Sequence, residues 1–374
     1  MQDHHTQKKR LINYVCEVNY PNTSAYGIHV LKMCDALKSK NSNVNLISPN
    51  QSIEIKILKK NYKIKNKINF ISIFKKKREI NFFIRVIFSL KILNNKNINK
   101  SEDSLFISRS VLFAIIGSFY KKNIILEIHH ELSGITKFIY YFLKKNNLLK
   151  NLRYIFIHKN LIKLFQPHNN KYICLDDAVD VNDFKLNKSL KKIKKTCVYV
   201  GSFHRGKGVE LIIKIAKNLK NINFHLYGDK RFLNNNIFSK NIKIFDHINY
   251  RDIPNILLKY EVALMPYGNW VSGKLKKINL VQSMSPLKMF DYLASSNVIL
   301  ASDLKVYKHI LEHKFNSILI NNSKVNEWAK WIDKIFKSKK KFSHIKKNAK
   351  KTAANHTWIK RSQNIIEFAN KEFF

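Results

Sequence analysis

A chain of 374 residues has room for two domains, each with its own core. Its 69 Lys and Arg against 25 Asp and Glu give a formal net charge of +44, a balance that suits a nucleic acid, an anionic membrane surface or an anionic substrate. Lysine, isoleucine and asparagine are abundant even in featureless stretches, so much of the excess is compositional drift, and the absence of aromatic-basic platforms argues against nucleic acid as the partner.

Leu11 to Cys16 is expected as a buried first strand. A turn-rich loop follows, then a helix with its apolar face from Tyr26 to Leu37, and a second strand at Val44 to Ser48. Gly27, at the junction of loop and helix, would allow close approach of a ligand to the backbone or simply tighten a turn. Ile80 to Leu93 is apolar almost all round and is flanked by KKKR and NNKNINK. Two readings stand for it: a core helix with a wide buried face, or a helix resting on an anionic bilayer. Leu105 to Ser108 and Ile124 to Ile128 are further strands, with a helix from Val111 to Tyr120 between them. The second strand runs into His129 and His130 at its carboxyl end, where open α/β sheets place ligands, and Glu131 is a candidate to orient one of them.

Lys137 to Phe165 reads as helix, short strand and helix, and Tyr172 to Leu175 as the last strand of this half. The carboxylates of DDAVDVNDF lack a partnering histidine and read as a polar connection rather than a metal site. Lys185 to Lys195 has many charges and no apolar period, which marks it as the linker.

The second half repeats the alternation. CVYV is a strand, and Val209, Ile212, Ile213, Ala216 and Leu219 form the stripe of a helix. Between them Gly201, Gly206 and Gly208 alternate with His204, Arg205 and Lys207, a loop suited to an anion at a helix N-terminus. Strands follow at NFHLYG, IKIF, VALMP, VILAS and SILI, with helices around 253–258, 286–295 and 306–311 and closing helices after them. The expected class is α/β, two doubly wound Rossmann-like parallel sheets.

Cys16, Cys34, Cys174 and Cys197 have neither metal nor redox spacing and fit a reducing compartment. The start, MQDHHTQKKR, lacks a signal-peptide core, and no apolar run approaches the ~20 residues of a membrane span. A cytoplasmic protein, peripheral on a membrane at most, is expected.

In the second half VGSFHRGKGVELIIKIA, FHLYGD, DHINYRDIPNILLKYEVALMPY, SPLKMFDYLASSNVILASDL and HTWIKRS occur in order. Together they resemble the GT-B fold glycosyltransferases of family 4, the group 1 transferases, with an SPLK variant of the second-domain signature. The first half agrees more loosely through YPNTSAYGIHVLKMCDAL, LFISRS, LEIHH and DDAVDVNDF. The resemblance implies an acceptor domain at 1–185, a linker at 186–195, a donor domain at 196–356 and a final helix at 357–374 crossing back.

It also implies transfer of a hexosyl group from a nucleotide-sugar to an acceptor hydroxyl, with retention and without a metal or other cofactor. The acceptor would be a glycan or lipid-linked glycan, in cell-surface glycan or glycolipid synthesis. Lys207 falls on the lysine that grips the donor diphosphate, and His129 on a histidine facing the reacting sugar. Gly27, Gly201 and Ser202 border the donor. Ser202 stands where an arginine is usual, with Arg205 as the replacement. Tyr227, Gly228 and Asp229 would lie near the base. Backbone N–H groups of Ser285, Leu287 and Lys288 would meet the diphosphate, with Pro286 in the first helical turn. Asp291 would take the ribose, while Ser283 occupies the place of a carboxylate. A GT-B nucleotide-sugar epimerase and a basic nucleic-acid-binding protein are the alternatives.

Overall fold

The computed structural model describes residues 10–39, 42–52, 54–168, 171–185, 190–233, 238–271 and 279–374. Part of the anticipated linker, 186–189, lies outside the described residues. Two compact units divide the chain: residues 1–175 together with 358–374, and residues 176–357.

The first unit contains β1 (Leu11–Val15), α1 (Ala25–Lys38), β2 (Asn43–Ser48), α2 (Ile55–Tyr62), β3 (Asn69–Ser72), α3 (Phe82–Leu93) and β4 (Leu105–Ser108). It continues with α4 (Val111–Phe119), β5 (Asn123–Ile128), α5 (Gly134–Lys145), β6 (Arg153–Phe156), α6 (Lys159–Phe165) and β7 (Tyr172–Cys174). The seven strands are parallel in the order β3-β2-β1-β4-β5-β6-β7. Strand order therefore reverses between β1 and β4, and loops beyond the carboxyl ends of these strands diverge to leave room for a ligand. Helices cover both faces, so the central strands are apolar throughout rather than alternating: β4 is buried along its whole length.

The second unit contains β8 (Thr196–Val200), α7 (Val209–Asn218), β9 (Asn223–Tyr227), β10 (Ile242–Phe245), α8 (Ile253–Leu257), β11 (Val262–Met265), α9 (Leu287–Ala294) and β12 (Val298–Ser302). After β13 (Ile318–Ile320) come α10 (Val325–Lys337) and α11 (Ser343–Asn355). Its six parallel strands run β10-β9-β8-β11-β12-β13, reversing between β8 and β11. The last helix, α12 (Trp358–Phe373), belongs to the first unit and packs on α1.

The expected stripe of α7 is buried at Val209, Ile212, Ile213 and Ala216. Three departures from the sequence reading are physical. The segment 306–311 is a single 3-10 turn at Lys305–Tyr307, because Val306, Tyr307, Ile310 and Leu311 bury themselves from an irregular loop as well as from a helix. Pro286 is the N-cap of α9, one position before its first turn, with extended backbone at φ −77° and ψ 127°. The buried face of α3 is narrow, limited to Phe88, Ser89, Ile92 and Leu93, while Phe83 is 75% exposed.

Gly208, the N-cap of α7, has φ +91°, and a Cβ there would overlap the Pro266 carbonyl oxygen. Backbone cannot yield as a flexible side chain does. Gly208→Ala is expected to lower unfolding stability by about 1–3 kcal/mol in a denaturant titration.

Candidate active site

In the second unit the site is built at the carboxyl end of β8. The strand is buried along its length and ends at Gly201, whose φ of +147° is open chiefly to glycine. Phe203 is buried and anchors the loop beside Tyr199, with ring centroids 6.0 Å apart. Gly206 accepts a hydrogen bond from the Gly268 N–H at 2.9 Å, so this loop is tied to the one after β11.

That path brings two cations together. The Lys288 ammonium lies over the Tyr199 ring, 3.8 Å from its centroid, and 5.4 Å from that of Tyr267. Lys207 approaches the same Tyr267 ring at 5.0 Å. A Cβ on Gly201 would come within 2.5 Å of Lys288 Nζ, so the glycine makes the space that the ammonium occupies. Lys288 Nζ is buried and has no hydrogen-bond partner among the described residues. Aromatic faces offset part of the lost hydration, but a buried ammonium still needs an anion.

Burial pushes the Lys207 pKa down to about 8. Burial, and then the charge of Lys207, holds Lys288 well below the ordinary lysine value. The N-termini of α7 and α9 enter at these lysines, and neither has a side-chain cap. Two ammonium groups and two positive helix ends therefore converge, the one acidic side chain in the first turn of α7, Glu210, being exposed; this is the electrostatics of an oxyanion site.

The remaining expected donor residues are placed as follows. The Ser202 carbonyl accepts from the Tyr199 hydroxyl at 2.8 Å. Arg205 is exposed, and the second cation beside Gly201 is Lys288. The Tyr227 phenol bonds to that of Tyr260 at 2.8 Å, and its ring stacks on Phe245 at 4.5 Å. Gly228 packs so closely on the Gly201 carbonyl that a Cβ would overlap it. The Asp229 carboxylate is held by Arg231, Nε to Oδ1 at 2.9 Å and Nη2 to Oδ2 at 2.5 Å, and this pairing lowers its pKa to about 2. The Ser285 Oγ accepts from the Asp177 N–H at 3.0 Å. Leu287 opens α9, and Asp291 is buried one turn after Lys288.

In the first unit the Gly27 N–H donates to Ser24 Oγ, the N-cap of α1, and Asn22 packs where a Cβ would stand. The polar centre is Glu127 on β5, fully buried. Its Oε1 lies 2.8 Å from His29 Nε2, 3.0 Å from His129 Nε2 and 2.7 Å from Arg361 Nη2. Its Oε2 accepts a short bond from the Tyr14 hydroxyl. Burial alone would raise the Glu127 pKa, yet the charges around it outweigh that and hold it well below the carboxylate range. An ionised carboxylate only accepts, so His129 presents Nε2–H to it and keeps an unprotonated Nδ1. Burial and then Arg109 push the His129 pKa down to about 3, so the imidazole is neutral at physiological pH.

Glu127 therefore takes the orienting part assigned to Glu131. Residues i and i+2 of an extended strand share a face, which brings Glu127 to His129. The Glu131 carbonyl instead receives His130 Nδ1 at 2.8 Å. His29, Glu127 and His129 offer three metal-type donor atoms within 4.8 Å. Arg361, however, already supplies positive charge at the same carboxylate oxygen and would repel a divalent ion there. Arg361 and Trp358, whose ring lies edge-on to His29 at 5.2 Å, come from α12; both lie within the quoted HTWIKRS and were not singled out there. Arg109, stacked 3.9 Å from the Tyr26 ring centroid, lies within the quoted LFISRS and was not singled out there.

Residues 181–352, which lie within the second unit, match the family model described as glycosyl transferases group 1. No curated protein matches the sequence. The fold is similar to that of a glycosyltransferase from Rickettsia africae ESF-5, at 13% identity and TM-score 0.74, covering 97% of this chain and 98% of that one. It is similar to Anabaena HepE in complex with UDP and glucose, at 12% identity and TM-score 0.70, covering 97% and 100%. It is also similar to sucrose-phosphate synthase from Thermosynechococcus elongatus, at 12% identity and TM-score 0.71, covering 98% and 99%. The two parallel-sheet units are those of the GT-B fold.

Two predictions follow from these charges. Lys207 has a folded pKa of about 8 against an ordinary 10.5, so the unfolded chain holds more protons between those values. Its contribution to stability is present above about pH 10.5 and lost as pH falls through about 8. Subtracting the melting profile of Lys207→Met from that of the wild type should show this rise, and a flat difference would refute it. In the first unit, Arg361→Met should cost about 3–5 kcal/mol by removing the permanent positive charge beside buried Glu127. The double variant with Glu127→Leu should lose clearly less than the sum of the single variants in denaturant titrations; additive losses would show that the pair is uncoupled.

Proposed function

We propose that the chain transfers a hexosyl group from a nucleotide-sugar to the hydroxyl of a glycan or lipid-linked acceptor, with retention and without a metal. The setting proposed is cytoplasmic, in the synthesis of a cell-surface glycan or glycolipid. The observation that carries this reading is the convergence of Lys207 and Lys288, neither with a carboxylate partner among the described residues, at two uncapped helix N-termini. A diphosphate supplies the missing negative charge, and it gains more as the leaving nucleotide develops.

In this reading the bond from the sugar anomeric carbon to the diphosphate oxygen breaks as the acceptor oxygen bonds to that carbon. The acceptor proton passes to the departing phosphate on the same face. Lys207 and Lys288 neutralise the growing charge, joined by the backbone N–H groups of Ser285, Leu287 and Lys288. Pro286 sets the entry of α9, Asp291 accepts from the ribose, and Tyr227, Gly228 and Asp229 border the base. Gly27, Gly201, Ser202 and Arg205 line the donor. His129, neutral and held by Glu127, positions groups at the sugar and is not the sole base. The family 4 assignment and the SPLK variant of its signature belong to this proposal.

Incubation with a panel of UDP-, GDP- and ADP-sugars and acceptors should release nucleotide in the presence of a chelator. Lys207→Ala should lower the rate about 10²-fold or more while circular dichroism is unchanged. Full activity in that variant would remove Lys207 from the mechanism. Isomerised nucleotide-sugar formed without an acceptor would identify an epimerase instead.

A further inference from the structure

Sugar transfer leaves one surface of the first unit unused. On α5, Ile135, Phe138 and Phe142 are 61%, 77% and 67% exposed, and their i, i+3, i+7 spacing makes one stripe. Tyr140 alone is buried on that helix. On α3, Phe83, Ile87 and Leu90 form a second exposed stripe at i, i+4, i+7. The crossovers β3 to β4, β4 to β5 and β5 to β6 all step in one direction, so right-handed connections place α3, α4 and α5 on one face of the sheet. α4 packs against both of the others and is itself mostly buried; on α3, Ile87 and Leu90 line an open cavity with Ser72 and Ile73, while Phe83 stands exposed at the start of the helix.

The charge around these stripes has one sign. α5 carries Lys137, Lys144 and Lys145 and no carboxylate, and α3 carries Arg85 and Lys91 and none. Lys75, Lys76, Lys77 and Arg78, all exposed, precede α3. The carboxylates nearby are Glu17, which lies 3.1 Å from Arg85, and the flanking Glu79 and Glu131. Exposed phenylalanine and isoleucine rimmed by flexible ammonium groups match the boundary between acyl chains and anionic headgroups. No described helix is long and apolar enough to cross a membrane, so such a contact is made from the side.

We propose that the α3 and α5 face docks on an anionic bilayer, Phe83, Phe138 and Phe142 entering the acyl boundary and the lysines meeting lipid phosphates. Both helices begin at the carboxyl ends of the strands, and α5 starts shortly after His129. Docking then holds the Glu127–His129 end of this unit beside the headgroups, where a lipid-linked acceptor would lie; only this last step rests on the transfer reading.

The test is sedimentation of the full chain with vesicles of phosphatidylcholine, alone or mixed with phosphatidylglycerol. Binding is expected to the mixed vesicles and to weaken with salt, and F138S/F142S should lower the partition coefficient by about tenfold or more. That variant keeps every charge, so undiminished binding would assign the effect to the general +44 and overturn the proposal. Failure of the wild type to bind, equal binding to neutral vesicles, or a concentration-dependent dimer abolished by F138S/F142S would also overturn it. Binding of UDP, GDP and ADP followed by thermal shift separates the two readings: vesicle binding with none of these nucleotides bound would sink the transfer proposal and leave the docking intact.

Discussion

An ionised carboxylate with no access to water is the constraint on which the first unit depends. Glu127 is stable there because Tyr14 from β1, His29 from α1, His129 from the end of its own strand and Arg361 from α12 all reach it. Isolated, such a charge costs several kcal/mol after relaxation, and attraction in a poorly screened interior repays this only when hydrogen bonds satisfy its lone pairs. The network therefore does more than join elements. It fixes the ring of His129, selects the proton position on its imidazole, and makes a helix from the end of the chain a structural part of the first sheet. Trp358, packed edge-on to His29, holds the same helix by apolar burial.

The second unit inverts that arrangement. Lys207 and Lys288 are half-buried with their ammonium groups against tyrosine faces, and the helix ends beside them add positive potential rather than relieving it. Their lowered pKa values express a cost that the folded protein carries by itself. A fold selected only for stability would place a carboxylate here or an apolar side chain. Retained strain of this sort is the ordinary mark of a site organised around a ligand of opposite charge.

The strongly periodic elements were legible in the sequence because burial leaves its period in the residues: β8, α7 and the strands of both switch points are examples. α2 and β3 left weaker traces. α2 buries only Leu58 and Tyr62 in a lysine-rich helix, and β3 is a four-residue, half-buried edge strand. At the site, the glycines and Lys207 could be read from spacing, whereas the side chain of Lys288 could not. Its place depends on the missing Cβ of Gly201 and on two tyrosines brought in by separate strands and loops. Glu127 was open to inference from the two-residue strand period, but Glu131, equally spaced from His129 and next to His130, competed for the same part. Arg361 lies within the quoted HTWIKRS but 234 positions from Glu127, so no spacing joins the two.

That last difficulty bears on the meaning of +44. Net charge alone cannot separate a functional cation from a solvated one, since both contribute equally to the sum. Environment does separate them. Lys32 is almost completely buried, yet its ammonium donates to the Lys63 carbonyl at 3.3 Å and ties a helix to a loop. Arg361 spends its charge on Glu127. The Lys288 ammonium, by contrast, is buried without a hydrogen bond, and the lysines of α5 stand beside phenylalanines that water solvates poorly. The physically informative cations are those whose surroundings do not complete them; in the two proposals above, the lysines at the helix ends would take a compact anion and those of α5 an extended one over an apolar face.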